Sequence, residues 1–455
     1  CVRLLGHAGS DIESQYHSQE HIEQTEANDP LLHTAHLLYQ AGWMTLQEMI
    51  DLYQDNRALI EAKAIEAINA SQLNSSEEVM ASILPLKRKT ITYPLPDNAL
   101  RATIFGDSYN QLGLKRNLSQ QINFALTDLL IQYPNMLVFG EDVGKKGGVY
   151  RITAELQARF GQRRVFDTLL DETTILGTAI GMAHNGFIPV PEIQFLAYLH
   201  NAEDQLRGEA STLSFFSNGQ YQNPMVVRIA SFGYQKGFGG HFHNDNSIAV
   251  LRDLPGVILA CPSNGPDAAK LLRTCLRLAQ EEGRVVVFLE PIALYMTKDL
   301  HEPGDNAWLF DYPAVDETIA LGQVGVHGHG DTVIISYANG YYLSRQAAKI
   351  LSQQYRIDTK VVDLHWLNPL PIEAILREVS HAKRVLIVDE GRRTGSLSEG
   401  LMALLIERAP AGLNLKRITG EDSFIPLGTA WEHVLPSRDK IVAAVKEMNK
   451  EKERG

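Results

Sequence analysis

Cysteine is scarce. Cys1, Cys261 and Cys275 are the only three in 455 residues, with no C-x-x-C spacing and too low a density for a disulfide framework. Reduced thiols in a cytosol-like, cytoplasmic compartment are the expectation. No run of eighteen apolar residues occurs, so no membrane-spanning helix is expected, and no signal peptide is visible. Positive charge is in deficit: 42 Lys and Arg stand against 54 Asp and Glu, a net charge of -12, which argues against a nucleic-acid surface. No short-period repeat is found. The first residue is Cys1 rather than Met, from which a fragment or processed product is expected. What is present, 44% hydrophobic and 21% charged residues, is an ordinary globular composition with material for about three domains.

Residues 1–27 are polar and histidine-rich. A helix is predicted from Asp29, with Pro30 in its first turn and an end at Gly42. In a second, Leu46, Met49, Ile50, Tyr53, Ile60, Ala64 and Ile68 form one apolar stripe that must lie on something larger. Residues 85–115 mix prolines and charges without a period and read as a linker. From Asn117 the runs "LVFGEDV", "RVFDTLL", "FIPVPEIQF", "MVVRIAS", "VILACPS" and "VVVFLEP" alternate with helical segments. Such alternation indicates a parallel sheet covered on both faces. Gly177 and Gly181, on one face of "TTILGTAIGMAHNG", would let that helix approach the sheet closely. After a break at 298–317, "DTVIISYAN", "KVVDLHWL", "RVLIVDEG" and "LNLKRIT" predict a second, smaller unit of the same kind. The expected organisation is a helical tail at 1–84, a linker at 85–115 and α/β domains at 116–305 and 306–455. The fold class is thus α/β, with two doubly wound parallel-sheet domains.

Ligands of open parallel sheets bind beyond the carboxyl ends of the strands. Glu172 follows the strand "RVFDTLL" and opens the next helix, so it stands at that edge; an acidic residue there also simply favours the positive helix end. About seventy residues on, "GYQKGFGGHFHNDN" offers Gly233, Gly237, Gly239 and Gly240 for close backbone approach. Its His241, His243 and Asp245 alternate along one side of an extended chain. Their order is similar to zinc ligands of metallo-β-lactamase-type hydrolases, but Asn246 stands where that motif continues with histidine, and the parallel sheet is wrong for that fold. "GHAGSD", Gly6–Asp11, is a further small-residue loop carrying a histidine.

Together these stretches resemble the thiamine-diphosphate-dependent decarboxylating component of 2-oxo acid dehydrogenase complexes. "FGEDVGKKGGVYRITAELQARFGQRRVFDTLLDE", "PEIQFLAYLHNAEDQL", "LPGVILACPSNGPDAAKLL", "VVVFLEPIALY", "VVDLHWLNPLP" and "VLIVDEG" resemble its beta subunit in order. Residues 1–70, with "CVRLLGHAGSD" and "DPLLHTAHLLYQAGW", resemble the C-terminal tail of the alpha subunit. The resemblance implies a transketolase-type pair of domains in a fused alpha–beta polypeptide. It implies that Glu172 hydrogen-bonds the cofactor pyrimidine, with Leu170, Gln194 and Tyr198 lining the same pocket. Counting back from Pro255–Gly256 places His243 at the family's catalytic histidine, with Asn244 and Asp245 replacing the serine and glutamine of its H-S-Q motif. His7 matches a catalytic, cofactor-binding histidine beside the diphosphate, and Ala8 replaces a serine phosphorylated in some relatives. No metal ligand is expected in this segment: Gly106-Asp107-Ser108 with Asn135 mimics the magnesium–diphosphate spacing but lacks the third glycine.

Magnesium would therefore be held by an alpha catalytic domain, of the same polypeptide or of the complex. Further implied are a lipoyl-bearing acyltransferase partner and either a homodimer of fused chains or an alpha2beta2-like assembly, with no nucleic acid and no membrane. The implied activity is oxidative decarboxylation of a 2-oxo acid, branched-chain preferred, with reductive acylation of the lipoyl group. A pyruvate or acetoin dehydrogenase component, a non-catalytic beta-like assembly subunit and a transketolase relative are the alternatives.

Overall fold

A computed structural model describes residues 3–85, 91–233 and 240–450, in two units, Cys1–Ser75 and Ser76–Gly455. In the first unit, helices run Gln19–Glu26, Pro30–Gln40 and Leu46–Ile68. Each begins on a capping side chain. Asp29 accepts from the Leu31 amide ahead of Pro30, and Thr45 and Glu48 bond each other's backbone reciprocally as a capping box. The apolar stripe is exposed: Tyr53, Ile60 and Ile68 face outward.

In the second unit every sequence-predicted strand forms. β1 is Met136–Gly140, β2 Val165–Asp167, β3 Ile188–Ile193, β4 Met225–Ser231, β5 Ile258–Ala260, β6 Val285–Pro291, β7 Gly325–Gly328, β8 Thr332–Ser336, β9 Thr359–Asp363, β10 Trp366–Asn368, β11 Arg384–Val388 and β12 Asn414–Ile418. One sheet has the order β10-β5-β6-β4-β3-β1-β2 and the other β12-β11-β8-β9-β7. Both are parallel but for one edge strand each, β10 against β5 and β7 against β9. The stretch "KVVDLHWL" thus holds two strands, not one. Its chain breaks at Leu364–His365 and β10 crosses to the other sheet, which stitches the two α/β domains together. One apolar core continues across them, from Phe139, Ile229 and Leu289 to Val333, Ile335 and Val385.

Two further departures have local causes. The stretch read as a linker contains a helix, Asn98–Phe105, capped by Asp97. It docks because Arg101 makes a two-pronged salt bridge, 2.8 and 3.1 Å, to the buried Asp128. Residues 81–83, read as tail, pack on the second unit: Ser82 Oγ donates to the Phe215 carbonyl and Ser214 Oγ to that of Ser82. Gly177 and Gly181 do not serve close packing on the sheet, since both are exposed and a Cβ on either meets nothing within 4 Å.

Beneath the sheet's carboxyl edge lies a buried ion cluster. Arg228 of β4 donates to Glu290 of β6 at 2.6 and 3.0 Å and to Glu192 of β3 at 2.8 Å, and Tyr295 donates to Glu290 at 2.6 Å. Cys261 and Cys275 are buried free thiols pushed up by burial, while Cys1 lies outside the described residues. Among the described residues no helix is long and apolar enough to cross a membrane.

Candidate active site

The chain leaves β1 for β2 on one side, then crosses back so that β3 pairs with the other side of β1. Connections diverge there, at the carboxyl ends of β1 and β3, and such a switch point is where open parallel sheets bind their ligands. Four segments reach that edge: Glu141 after β1, Glu172 after β2, Gln194–Tyr198 after β3, and the stretch Gly240–His243 beyond β4.

Glu172 is 6% exposed and heads the helix Glu172–His184. Its Oε2 accepts from Asn201 Nδ2 at 3.2 Å. Asn201 sits on the 3-10 turn Leu196–Ala202. Residues i and i+3 eclipse in a 3-10 helix, so that turn aligns Asn201 with Tyr198 on one side. Burial first, then the negative charges of Glu141 and Glu172, push the Tyr198 phenol above its ordinary value. Burial, then Asp142 and Glu172, also raise the Glu141 carboxyl, with Lys146 opposing. Tyr198 therefore stands within reach of the Glu141 and Glu172 charges, and Glu141 within reach of that of Glu172.

His243 completes the group. Its Nε2 lies 3.4 Å from the Tyr198 hydroxyl, and the tautomer decides which of them donates. The Phe195 ring meets the imidazole edge-on at 4.7 Å between centroids and also touches Tyr198 and Tyr150. Tyr150 packs on Tyr295, which links this aromatic chain to the ion cluster. Asn244 and Asp245 anchor the loop. Buried Asn244 donates to the Gly240 carbonyl at 2.9 Å, and Asp245 accepts from Arg392 at 3.3 Å. Gly233 gives way to the same loop: a Cβ there would stand 3.1 Å from Asn244 Oδ1. Gly237 and Gly239 lie outside the described residues.

The other sequence-predicted residues divide. Gln194 stands at the same edge, its Nε2 buried without a hydrogen-bond partner, a donor that a bound ring nitrogen or carbonyl can satisfy. Leu170 is 71% exposed, so core packing does not explain it. His241 meets the Phe242 and Phe424 rings at a tilt in a surface groove with Ala197, His200 and Arg392. His241, His243 and Asp245 do not bring ligand atoms together as a metal site requires. Asp107 and Asn135 take separate roles: Asp107 is exposed in a 3-10 helix, while Asn135 donates to Gly186 and Gln280. His7 belongs to the first unit, in a loop closed by Asp11, which accepts from the His7 amide at 2.7 Å and from Tyr16 at 2.7 Å. Sequence reasoning missed Glu141, Phe195 and Asn201. Glu141 lay in plain sight at a strand end, whereas Asn201 needed the 3-10 turn to be known.

Residues 115–296 match the transketolase pyrimidine binding domain, and residues 323–441 the transketolase C-terminal domain. The pyruvate dehydrogenase E1 component subunit beta of Bacillus subtilis (strain 168) is 32% identical over 337 residues, covering 72% of this chain and 97% of that subunit. Its counterpart in Staphylococcus aureus is 33% identical over 337 residues, with the same coverage of both. The chain belongs to the E1 beta-subunit family of 2-oxo acid dehydrogenases. This E1 beta-type chain also shares its fold with a solved split gene transketolase, an inactive beta4 tetramer. The TM-score is 0.58 at 19% identity, over 73% of this chain and 98% of that one. The matched pyrimidine binding domain is the one whose carboxyl edge gathers Glu141, Glu172, Tyr198 and His243.

Proposed function

We propose that this chain is the beta-type part of an enzyme that oxidatively decarboxylates a 2-oxo acid, branched-chain preferred, and reductively acylates a lipoyl group on a partner acyltransferase. The observation that carries this reading is the convergence of a buried carboxylate, Glu172, with Tyr198 and His243 at the switch edge of the matched domain. Thiamine diphosphate, when bound, supplies the electron sink for loss of carbon dioxide. Glu172, steadied by Asn201, would exchange a proton with its pyrimidine ring, while Gln194, Tyr198 and Leu170 orient that ring and exclude water. His243, held by Tyr198 and Phe195, would hold or deliver the proton that acyl transfer needs. The diphosphate and magnesium fall to an alpha-type catalytic domain, in the same polypeptide or in a partner subunit, with His7 beside the diphosphate.

On this reading residues 1–84 are an alpha-type tail whose exposed stripe packs on that catalytic domain. Residues 116–305 then bind the pyrimidine, 306–455 form the C-terminal domain, and the fused chains pair as a cytoplasmic homodimer or alpha2beta2-like assembly. Pyruvate is the competing substrate, favoured by the names of the relatives.

The test is turnover of a panel of 2-oxo acids by the purified enzyme together with its alpha domain. Branched-chain acids are expected to give the highest kcat/KM, dependent on added thiamine diphosphate. A preference for pyruvate corrects the substrate, and no decarboxylation of any 2-oxo acid overturns the activity. His243→Ala is expected to cut acyl transfer to lipoyl by roughly 100-fold or more, the contribution typical of a positioned acid–base group, and decarboxylation by much less. Equal losses in both steps would show that the role given to His243 is wrong.

A further inference from the structure

At the seam between the two α/β domains, away from the edge described above, three titratable side chains meet. Asp363 ends β9, His365 follows two residues later before the chain crosses to β10, and Asp267 lies in the first turn of the helix Gly265–Glu282. His365 Nε2 stands 3.3 Å from Asp267 Oδ2 and 3.6 Å from Asp363 Oδ2. His365 is 3% exposed and Asp363 1%; the imidazole meets the two carboxylates as an ion pair with no well-aligned hydrogen bond, and its Nδ1 has no partner. Buried polar atoms are nearly always satisfied, so a cluster held this loosely has room for an occupant. Among the described residues no other three His, Cys, Asp or Glu side chains bring ligand atoms within 4.8 Å of one another.

The spacing identifies the occupant's class. A tetrahedral ion bound at about 2.0–2.1 Å by nitrogen and oxygen sets its ligands roughly 3.3 Å apart, close to the two separations here. One imidazole with two carboxylates suits zinc among the common divalent ions. The charges balance as well: a neutral imidazole and two carboxylates carry two negative charges, which a divalent cation cancels inside an apolar seam. One outer contact is of the kind a metal site needs: Asp363 Oδ1, the oxygen turned away from His365, accepts from Ser263 Oγ at 2.7 Å. Asn264 Nδ2 donates at 2.6 Å to Asp267 Oδ2, the oxygen that also faces His365. The backbone of β7 closes over the ring, since a Cβ on Gly325 would lie 3.2 Å from His365 Nε2.

We propose that Asp267, Asp363 and His365 form a structural zinc-class site that ties the C-terminal α/β domain to the pyrimidine-binding one. Two of its ligands sit at the crossover that carries β10 between the sheets, so the ion fixes that crossover rather than the chemistry. A water completes the coordination.

The experiment is metal analysis of the purified protein, prepared without a histidine tag and together with its catalytic partner. About one zinc per chain is expected, separate from any magnesium brought by a cofactor. A strong chelator is expected to lower the thermal midpoint and added zinc to restore it. Cobalt in place of zinc should give the intense visible absorption of a tetrahedral centre, a readout that needs no variant. His365→Gln is expected to lose the ion and the chelator response together. Less than a tenth of a zinc per chain, roughly, with a chelator-insensitive midpoint, overturns the proposal and leaves a buried imidazolium between two carboxylates.

Discussion

Glu172→Gln is expected to lower thiamine-dependent decarboxylation of a 2-oxo acid by roughly 100- to 10,000-fold, the span typical of a lost acid–base group. The side chain keeps its length, and its amide oxygen can still accept from Asn201 Nδ2, which now bonds Oε2 at 3.2 Å. What disappears is a group that can give and take a proton at the switch edge. The structural cost is small. Glu172 heads a helix, where a negative charge contributes about 0.3–1 kcal/mol. A loss of that size shifts the thermal midpoint of a chain this large by no more than about 2–4 °C. Activity and midpoint should therefore separate cleanly, with folding and cofactor retention near wild type while turnover collapses. Near-normal turnover would remove Glu172 from the chemistry. A collapse of the midpoint together with activity would make it a helix-start residue and nothing more.

The alternating α/β domains were legible because their strands are buried on both faces and so read as unbroken apolar runs. β1, β3, β4, β5 and β6 of the first sheet and β8 and β11 of the second are buried along their whole length, while β2, β9 and β12 carry a charged residue and were found by their place in the alternation. β7, Gly325–Gly328, was missed because an exposed glycine- and histidine-rich edge strand has neither hydrophobic periodicity nor β-branched density. The split of "KVVDLHWL" was hidden for the opposite reason: both halves are apolar, and only their partners in different sheets distinguish them. The eight-residue helix Asn98–Phe105 is too short for its period to stand out, and what holds it is an ion pair with Asp128, a tertiary contact. At the site, the strand-end rule pointed to Glu172. The match to a known histidine motif pointed to His243. Asn201 and Phe195 act through geometry that spacing alone does not carry, namely an eclipsed 3-10 turn and an edge-on ring contact.

Arg228→Met is expected to destabilise the protein by about 3–5 kcal/mol, the largest stability effect anticipated from one substitution here. The guanidinium is 1% exposed and holds Glu290 with two nitrogens and Glu192 with a third. Methionine fills much of the same volume but leaves two buried carboxylates facing each other without a cation. Each alternative for them is costly: to stay ionised in an apolar sheet, or to take up protons at neutral pH. Burial already raises the Glu192 carboxyl above its ordinary value, with Arg228 pulling the other way. Removing Arg228 raises it further. A carboxyl whose folded-state pKa lies above its unfolded value contributes most stability below the unfolded value and loses it as pH rises through the folded one. The deficit of the variant should therefore widen from mildly acidic to neutral pH, measured by urea unfolding at several pH values. The triple change Arg228→Met, Glu192→Met and Glu290→Leu should recover much of the loss, because a buried ion cluster exchanged whole for apolar groups is often neutral in stability. Recovery of stability without recovery of turnover would be the informative result. It would mean that the cluster, through Tyr295, Tyr150 and Phe195, positions His243 as well as holding the sheet together. An Arg228→Met protein as stable as wild type at neutral pH would show that the carboxylates find water or each other's protons at no cost, and that the ion cluster is not what holds β3, β4 and β6 in register.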